Sequence, residues 1–300
     1  MDKRTVNKYM DKKITILGHG EIGSALGKIL QNKGFEVYFW DKNPERATQN
    51  MALEQMIKAS EFVFLCVPSW VLRNALEPVK SFLKPETILV SLAKGMENTG
   101  KTMDAVIKEI APDNFVLMSG PMLAEEISQG MPGFAVLAAP DAVLANKVQD
   151  LFKETNIHTE TSEGVGSVAF AGVLKNVYAL IIGIVSGLGY GDNLKGYLVS
   201  KISEEWDYLA EVLSLDKPIL RGRAGIGDFI ATSFSKYSKN HELGEKLAKG
   251  NAGELQSEGL ASLPGLISLV SQKTPALPRY LGLLKQVVLD GEPARKVFEF

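Results

Sequence analysis

The sequence predicts an α/β protein: an N-terminal doubly wound, mainly parallel sheet of Rossmann type, followed by an all-α C-terminal domain. Three observations carry this. A strand, a glycine loop, a helix and a second strand open the chain. Strands then recur, the first of them separated by helical segments, as far as Ala138. From about Gly166 onward few convincing strands remain and long helical patterns take over.

The elements follow in order. Ile14-Thr15-Ile16-Leu17 is a short apolar strand. Beyond the glycines, Ile22, Ala25, Leu26, Ile29 and Leu30 recur at helical spacing until Gly34. Phe35 to Trp40 is a second strand, which completes a βαβ unit of about thirty residues. Further strands are expected at Phe62–Val67, Thr87–Ser91, Phe115–Ser119 and Phe134–Ala138. Helices are expected at Val168–Leu188 and Leu194–Leu213. Pro218 and the glycine-rich stretch Gly222–Gly227 interrupt them, and shorter helices follow, punctuated by Pro264, Pro275 and Pro278. The domain boundary falls near residue 163, giving a dinucleotide-binding domain over 1–163 and a helical substrate domain over 164–300, with the reacting site expected where they meet.

The chain has 300 residues, room for two ordinary domains; 45% are hydrophobic and 23% charged, as in a globular protein. A net charge of −2 gives no electrostatic case for nucleic acid or an anionic membrane. The one cysteine, Cys66, ends an apolar run and reads as a core residue, and no intrachain disulfide is possible. His19, His158 and His241 have no metal-ligand spacing, so no metal is expected. Met1 to Lys13 is polar and lacks the apolar segment of a signal peptide. Val177 to Tyr190 is too short and glycine-rich for a membrane span. A cytoplasmic protein is expected.

Gly18-His19-Gly20-Glu21-Ile22-Gly23 follows the first strand and opens the first helix, the context a dinucleotide loop requires. Gly18 permits the tight turn, Gly20 lets the backbone approach a pyrophosphate, and Gly23 lets helix and strand pack closely. The helix N-terminus offers free N–H groups to the anion. Glu21 puts a negative charge in this loop, where it can point to solvent. Asp41 ends the second strand. Its carboxylate can accept hydrogen bonds from the adenosine ribose and repels a 2′-phosphate, which mildly favours NAD over NADP. The same residue also fits a solvated turn before Asn43-Pro44, and Lys42 and Arg46 could neutralise a phosphate.

Three strand ends follow. Pro68, after Cys66-Val67, either turns the chain over the cofactor or merely stops the strand. Lys94, in Ser91-Leu92-Ala93-Lys94-Gly95, stands either at the ligand-binding edge or in solvent. Ser119-Gly120-Pro121-Met122-Leu123-Ala124 ends a strand and begins a helix, and its glycine and proline either shape a backbone surface to face the nicotinamide ring or simply turn the chain into that helix.

The strongest chemical signal is Leu174-Lys175-Asn176-Val177. A lysine and an asparagine sit side by side in an apolar helix rich in small residues: Ala169, Ala171, Gly172, Ala179, Gly183 and Gly187. Burying an ammonium is costly unless it is paired, and burial lowers its pKa toward the range useful for proton transfer. The bland alternative is a lysine that snorkels out at the helix edge. Downstream, Asp228 follows three glycines in a segment that cannot be regular helix. It is placed to pair with Lys175, while Ser238, Lys239 and Asn240 suit a phosphate clamp. On spacing alone, a loop carrying surface polar residues accounts for the same pattern.

Taken in order from about Lys13 to Phe300, these segments resemble the NAD(P)-dependent sn-glycerol-3-phosphate dehydrogenases of bacterial type. The lysine-asparagine block and Gly225-Ile226-Gly227-Asp228 with Thr232 are specific to that family; the glycine loop is not. The resemblance implies reduction of dihydroxyacetone phosphate to glycerol 3-phosphate for glycerophospholipid synthesis, with NAD or NADP. Lys175 then looks like the proton donor and acceptor. Asp228 and Thr232 look like its partners around the substrate hydroxyls, and Lys94 like the lysine that touches cofactor and substrate. Gly120, with Met122 beside it, and Ala124 would line the sites. Lys239 and Asn240, after Ser238, would bind the phosphate, Asn176 would orient the substrate or fix the lysine, and Glu258 would reach the cofactor. A small phosphorylated ketone or alcohol is the expected partner, and a homodimer the family's expectation. The chain departs from the family at Lys239, where arginine is usual, at Glu21 and Ile22, where a small residue and an aromatic are usual, and at Asp41, near which an arginine often stands. Two rivals are weighed. A β-hydroxyacid dehydrogenase would carry its lysine and asparagine a turn apart. A cofactor sensor would have little need of a buried lysine.

Overall fold

The computed structural model describes residues 12–47, 51–110, 114–251 and 255–300; the polar start of the chain lies outside them up to residue 11. The chain divides into two compact units. The first runs to Ala93 and resumes over Asp104–Val165; the second comprises Lys94–Met103 and Gly166–Phe300.

The first unit is built on a seven-stranded sheet. Its strands are β1 (Lys13–Leu17), β2 (Glu36–Trp40), β3 (Phe62–Leu65), β4 (Ile88–Ser91), β5 (Phe115–Ser119), β6 (Gly133–Ala138) and β7 (Ile157–Ser162), in the order β2-β1-β3-β4-β5-β6-β7. All neighbours are parallel except β5 and β6. The central strands β3, β4 and β5 are buried along their whole length, as a sheet covered on both faces requires. The edge strand β2 alternates instead. β7 is absent from the sequence reading. Only Ile157 is buried in it; His158-Thr159-Glu160-Thr161-Ser162 carries no apolar pattern, and parallel pairing with β6 along six residues holds it in place.

The order reverses beside β1, so the loops after β1 and β3 flank the crevice where ligands bind in such sheets. Helix α1 (Glu21–Asn32) lies over β1 with Ala25, Leu26 and Leu30 buried. It stops where Gly34 takes φ +97° and the Phe35 N–H donates back to Leu30 O. Helices α2 (Leu53–Ala59), α3 (Ser69–Leu76), α4 (Met103–Ile110), α5 (Ala124–Ser128) and α6 (Ala142–Phe152) complete the alternation. Cys66 is half-buried against the core, and desolvation pushes its thiol up to about 12, so it is a poor nucleophile.

The second unit is helical. Its axis is α7 (Val165–Gly187), buried along almost all its length; α8 (Asp192–Leu213) follows. Both begin two or three residues before the apolar pattern does. Among the described residues, α7 is the one helix long and apolar enough to cross a membrane, and 94% of its apolar window is buried inside the fold. Then come α9 (Lys217–Arg221), a π-helical turn (Arg223–Gly227), α10 (Asp228–Phe234), α11 (Lys239–Ala248), α12 (Glu258–Ser271), α13 (Arg279–Val288) and α14 (Ala294–Val297). Small residues let α7 and α11 touch backbone to backbone: a Cβ added at Gly183 would sit 2.2 Å from His241 O, and one at Gly244 would sit 2.4 Å from Leu180 O.

Glu205 on α8 pins this bundle. Its carboxylate accepts the Tyr178 hydroxyl of α7 at 2.6 Å and the Tyr280 and Leu281 N–H groups of α13 at 2.8 and 2.9 Å. These two N–H groups are among those a helix start leaves without an internal partner. Burial pushes the Glu205 carboxyl above its ordinary range, although all three donors act against that shift. Replacing Glu205 with Ala strands a buried hydroxyl and two buried amides. It should cost about 3 kcal/mol of unfolding free energy, read as a lower midpoint in urea denaturation.

Candidate active site

In the first unit, the Gly18 loop has the shape an anion needs. Gly18 adopts φ +97°, and a Cβ there would lie 2.5 Å from Cys66 O. A Cβ on Gly23 would lie 2.1 Å from Gly18 O, so the helix is seated as close as the backbone allows. Above Gly20 there is open space to at least 4 Å. No side chain caps α1, so the amides of its first turn, from Glu21, Ile22 and Gly23, remain for a ligand. Glu21 is exposed, and Ile22 leans on the sheet core. This cradle fits a dinucleotide pyrophosphate.

Asp41 does more than the sequence indicates. Its Oδ2 accepts the His19 N–H at 2.9 Å and its Oδ1 accepts the Asn43 N–H at 2.9 Å. It therefore ties the glycine loop to the end of β2. The His19 ring stacks on Phe39 at 4.2 Å and bonds the Arg46 carbonyl. Gly120, at φ +132°, presses against Phe134 O, where a Cβ would come within 2.3 Å. Met122 packs on the core, and Ala124 is the first residue of α5.

The second unit gathers the charged candidates. Lys175, on α7, is 8% exposed, and Asp228, at the head of α10, is 4% exposed. Lys175 Nζ donates to Thr232 Oγ1 at 2.9 Å and lies 3.5 Å from Asp228 Oδ1; Thr232 in turn donates to that oxygen at 3.3 Å. Lys94 Nζ donates to the other carboxylate oxygen at 2.7 Å. One buried carboxylate thus holds two ammonium groups. Burial opposes ionisation of Asp228, but Lys175 and Lys94 outweigh it and keep the carboxyl below its ordinary range. Desolvation lowers Lys175 to about 8, against the pull of Asp228 and with the help of Lys94; the charge of Glu258, half-buried at the start of α12, works in the same direction as Asp228.

Backbone geometry aims the carboxylate. The glycine-rich stretch is one π-helical turn, closed by Gly227 N–H to Gly222 O at 3.0 Å. A Cβ on Gly225 would lie 1.8 Å from Leu220 O, so the turn demands glycine there. A π turn inserts one residue and rotates the helix beyond it. Asp228 and Thr232, four residues apart on α10, then face Lys175 together.

The asparagines are joined to each other and to the backbone around them. Asn176 Nδ2 donates to Lys94 O at 2.8 Å; Asn240 Nδ2 donates to Asn176 Oδ1 at 2.8 Å; Gly259 N–H donates to Asn240 Oδ1 at 2.9 Å. These bonds form a buried chain that uses one N–H of each amide. Ser238 caps α11 through the His241 N–H at 3.2 Å, and Lys239 beside it is exposed. The contacts that join Lys175, Asp228, Lys94, Thr232, Asn176 and Asn240 do not include Lys239. The sequence reading missed Ser257, which caps α12, and Ser262, whose Oγ accepts the Met96 N–H at 3.1 Å. A serine before Glu258 at a helix start is a legible cap; nothing in the sequence marks Ser262.

Asp228→Asn removes the anion that favours the Lys175 ammonium. The Lys175 pKa should then fall below about 8, read from the pH dependence of its labelling by an amine reagent in mass spectrometry.

Residues 164–286 match the model of the NAD-dependent glycerol-3-phosphate dehydrogenase C-terminus, and residues 13–52 and 44–145 match that of the N-terminus. The chain is 30% identical over 315 residues to a glycerol-3-phosphate dehydrogenase [NAD(P)+] of Clostridium tetani, covering 95% of this chain and 90% of that one. It is 35% identical over 268 residues to the Moorella thermoacetica protein of the same name, covering 82% and 80%. The crystal structure of glycerol-3-phosphate dehydrogenase from Coxiella burnetii shares the fold with a TM-score of 0.86 at 21% identity, over 96% of this chain and 98% of that chain.

Proposed function

The chain belongs to the NAD-dependent glycerol-3-phosphate dehydrogenase family, and we infer that Lys175 is the acid and base of its reaction. The enzyme interconverts dihydroxyacetone phosphate and sn-glycerol 3-phosphate with NAD(P). The observation that carries the assignment of Lys175 is its buried ammonium, held by Asp228 and Thr232 and lowered to about 8.

The dinucleotide, held by the Gly18 loop and the first turn of α1, supplies or takes up the hydride when bound. The chain itself contributes charge and a proton. As the ketone is reduced, negative charge builds on its oxygen. Lys175 stabilises that charge and transfers a proton from Nζ to the oxygen, becoming an amine. In the reverse direction the amine takes the hydroxyl proton. Thr232 and Asp228 hold Nζ in place through either step, and Lys94 adds a second cation to the site. Binding energy from the substrate phosphate, remote from the carbonyl, can hold the carbonyl in place; we assign that contact to Lys239 with Asn240 and Ser238. Lysine grips phosphate as a point charge where arginine offers a planar fork.

We assign residues 1–163 to dinucleotide binding and 164–300 to substrate binding, with NAD mildly preferred because Asp41 repels a 2′-phosphate. Gly120, Met122, Ala124 and Glu258 line the sites in this reading. A cytoplasmic location, a homodimer and the supply of glycerol 3-phosphate to glycerophospholipid synthesis go with the family.

The test is oxidation of NADH and of NADPH by dihydroxyacetone phosphate, followed by nicotinamide absorbance. Lys175→Ala should lose about a thousandfold in turnover while retaining cofactor binding; near-normal turnover would refute the assignment. NADH should outperform NADPH, and Asp41→Asn should narrow the gap. The pH profile takes its sign from the Lys175 shift. Reduction uses the ammonium and should decline as pH rises through about 8; oxidation uses the amine and should rise through the same range.

A further inference from the structure

Lys94 reaches Asp228 from an unusual place in the chain. It follows β4 of the first unit, yet residues 94–103 belong to the second. This segment is a strap that leaves the sheet unit, lies on the helical unit, and returns as α4. Its seat on the helical unit decides where the Lys94 ammonium stands.

Three contacts make that seat. The Met96 N–H donates to Ser262 Oγ at 3.1 Å. The Glu97 carbonyl lies where a Cβ on Gly265 would come within 2.1 Å, so strap and α12 meet backbone to backbone. The third contact is a single turn of α7. Asn176 holds the Lys94 carbonyl at 2.8 Å. Four residues earlier on the same face, Gly172 lies beneath the Lys94 stem: an added Cβ would sit 3.2 Å from Lys94 Cβ, 3.3 Å from Cγ and 3.6 Å from Cα. One turn of α7 thus supplies the clamp at 176, the proton donor at 175 and a floor without a side chain at 172.

We propose that Gly172 is a positioning residue for the reaction: its missing side chain sets the height at which Lys94 crosses α7, and so brings the Lys94 ammonium onto Asp228 beside Lys175. The contact with Asp228 is at 2.7 Å, where a few tenths of an ångström matter. The three atoms nearest a methyl at 172 all belong to Lys94, with its side-chain Cβ and Cγ closer than its Cα, so the strain falls first on Lys94. This proposal rests on the assignment of Lys175 as proton donor, since the role of Lys94 is defined relative to it.

The discriminating variant is Gly172→Ala. Glycine inside a helix is less favourable than alanine, so a merely structural account predicts an unchanged or higher melting temperature and unchanged kinetics. The positioning account predicts the same or higher melting temperature together with about a tenfold loss in kcat/KM for dihydroxyacetone phosphate, since sub-ångström misplacement at a reacting site is costly. It further predicts that the alkaline limb of the pH profile moves upward, the direction expected when a neighbouring cation retreats from Lys175. Lys94→Ala gives the reference for that movement. Ser262→Ala, which frees the Met96 amide at a distance from the reacting groups, should move both readouts the same way by a smaller amount. Trace acetylation of Lys94, measured by mass spectrometry, should be faster in both Gly172→Ala and Ser262→Ala than in the wild type. Wild-type kinetics in a folded Gly172→Ala protein, with unchanged Lys94 labelling, would overturn the proposal. Absence of wild-type turnover on dihydroxyacetone phosphate would instead refute the assigned reaction, whereas the labelling rates test the seat of Lys94 without reference to turnover.

Discussion

The helical unit depends on one carboxylate doing duty for two ammonium groups. Asp228 is almost completely buried, and an isolated charge in such a place would be lost to neutralisation. Lys175 and Lys94 prevent that, each bound to a different oxygen, with the Thr232 hydroxyl inserted between Lys175 and Oδ1. The group of three carries a net positive charge. That surplus is what a reaction needs if an anionic substrate is to enter and an oxyanion is to form. It also explains why the Lys175 pKa is lowered to about 8 although the ammonium is hydrogen-bonded: burial pulls it down, and the second lysine acts in the same direction. A neutral pair of one lysine and one aspartate would hold the proton more tightly and give it up less readily.

Each member of the group is delivered by a different departure from regular structure. Asp228 follows a π turn that only glycine at 225 permits. Lys94 rides on a strap that belongs to the helical unit though it follows a strand of the sheet. Lys175 sits on a helix whose glycines allow close approach, of the α11 backbone at Gly183 and of the Lys94 side chain at Gly172. Glycine in a helix costs roughly 0.5–1 kcal/mol relative to alanine. The extensive apolar burial of α7 offsets that cost. The three departures converge on one point, where strain and low-propensity residues are expected to concentrate.

Much of this is legible in the residues, and the remainder is hidden for physical reasons. The strand–loop–helix unit is visible because apolar period and glycine placement agree. Lys175 stands out because an ammonium amid Leu174, Val177 and Leu180 has no bland explanation except escape to the surface. β7 is invisible because an edge strand needs no apolar face when its partner supplies the ladder. The strap is invisible because chain order places Lys94 in the sheet unit, and no local pattern reports which surface a loop lies on. The two asparagines look like ligand groups in the sequence, since amides serve both purposes equally well. Only the geometry shows that Asn176 and Asn240 bond to each other, to Lys94 O and to the Gly259 amide.

Asp41 raises the same question in the sheet unit. A carboxylate after the second strand is usually read through its charge alone, as a group that welcomes a ribose and rejects a phosphate. Here each of its oxygens already accepts a backbone N–H, one from His19 inside the glycine loop and one from Asn43. Each oxygen retains a second lone pair, so a ribose can still be received. The consequence is that discrimination and loop geometry share one side chain. A substitution that removes the acceptor oxygens together with the charge also releases the His19 amide. Exchange of cofactor preference at this position therefore requires a residue that is neutral or basic toward the ligand and still accepts a hydrogen bond from the loop. Asparagine meets the second condition with its carbonyl oxygen and the first with its lack of charge; arginine, which has no acceptor, does not.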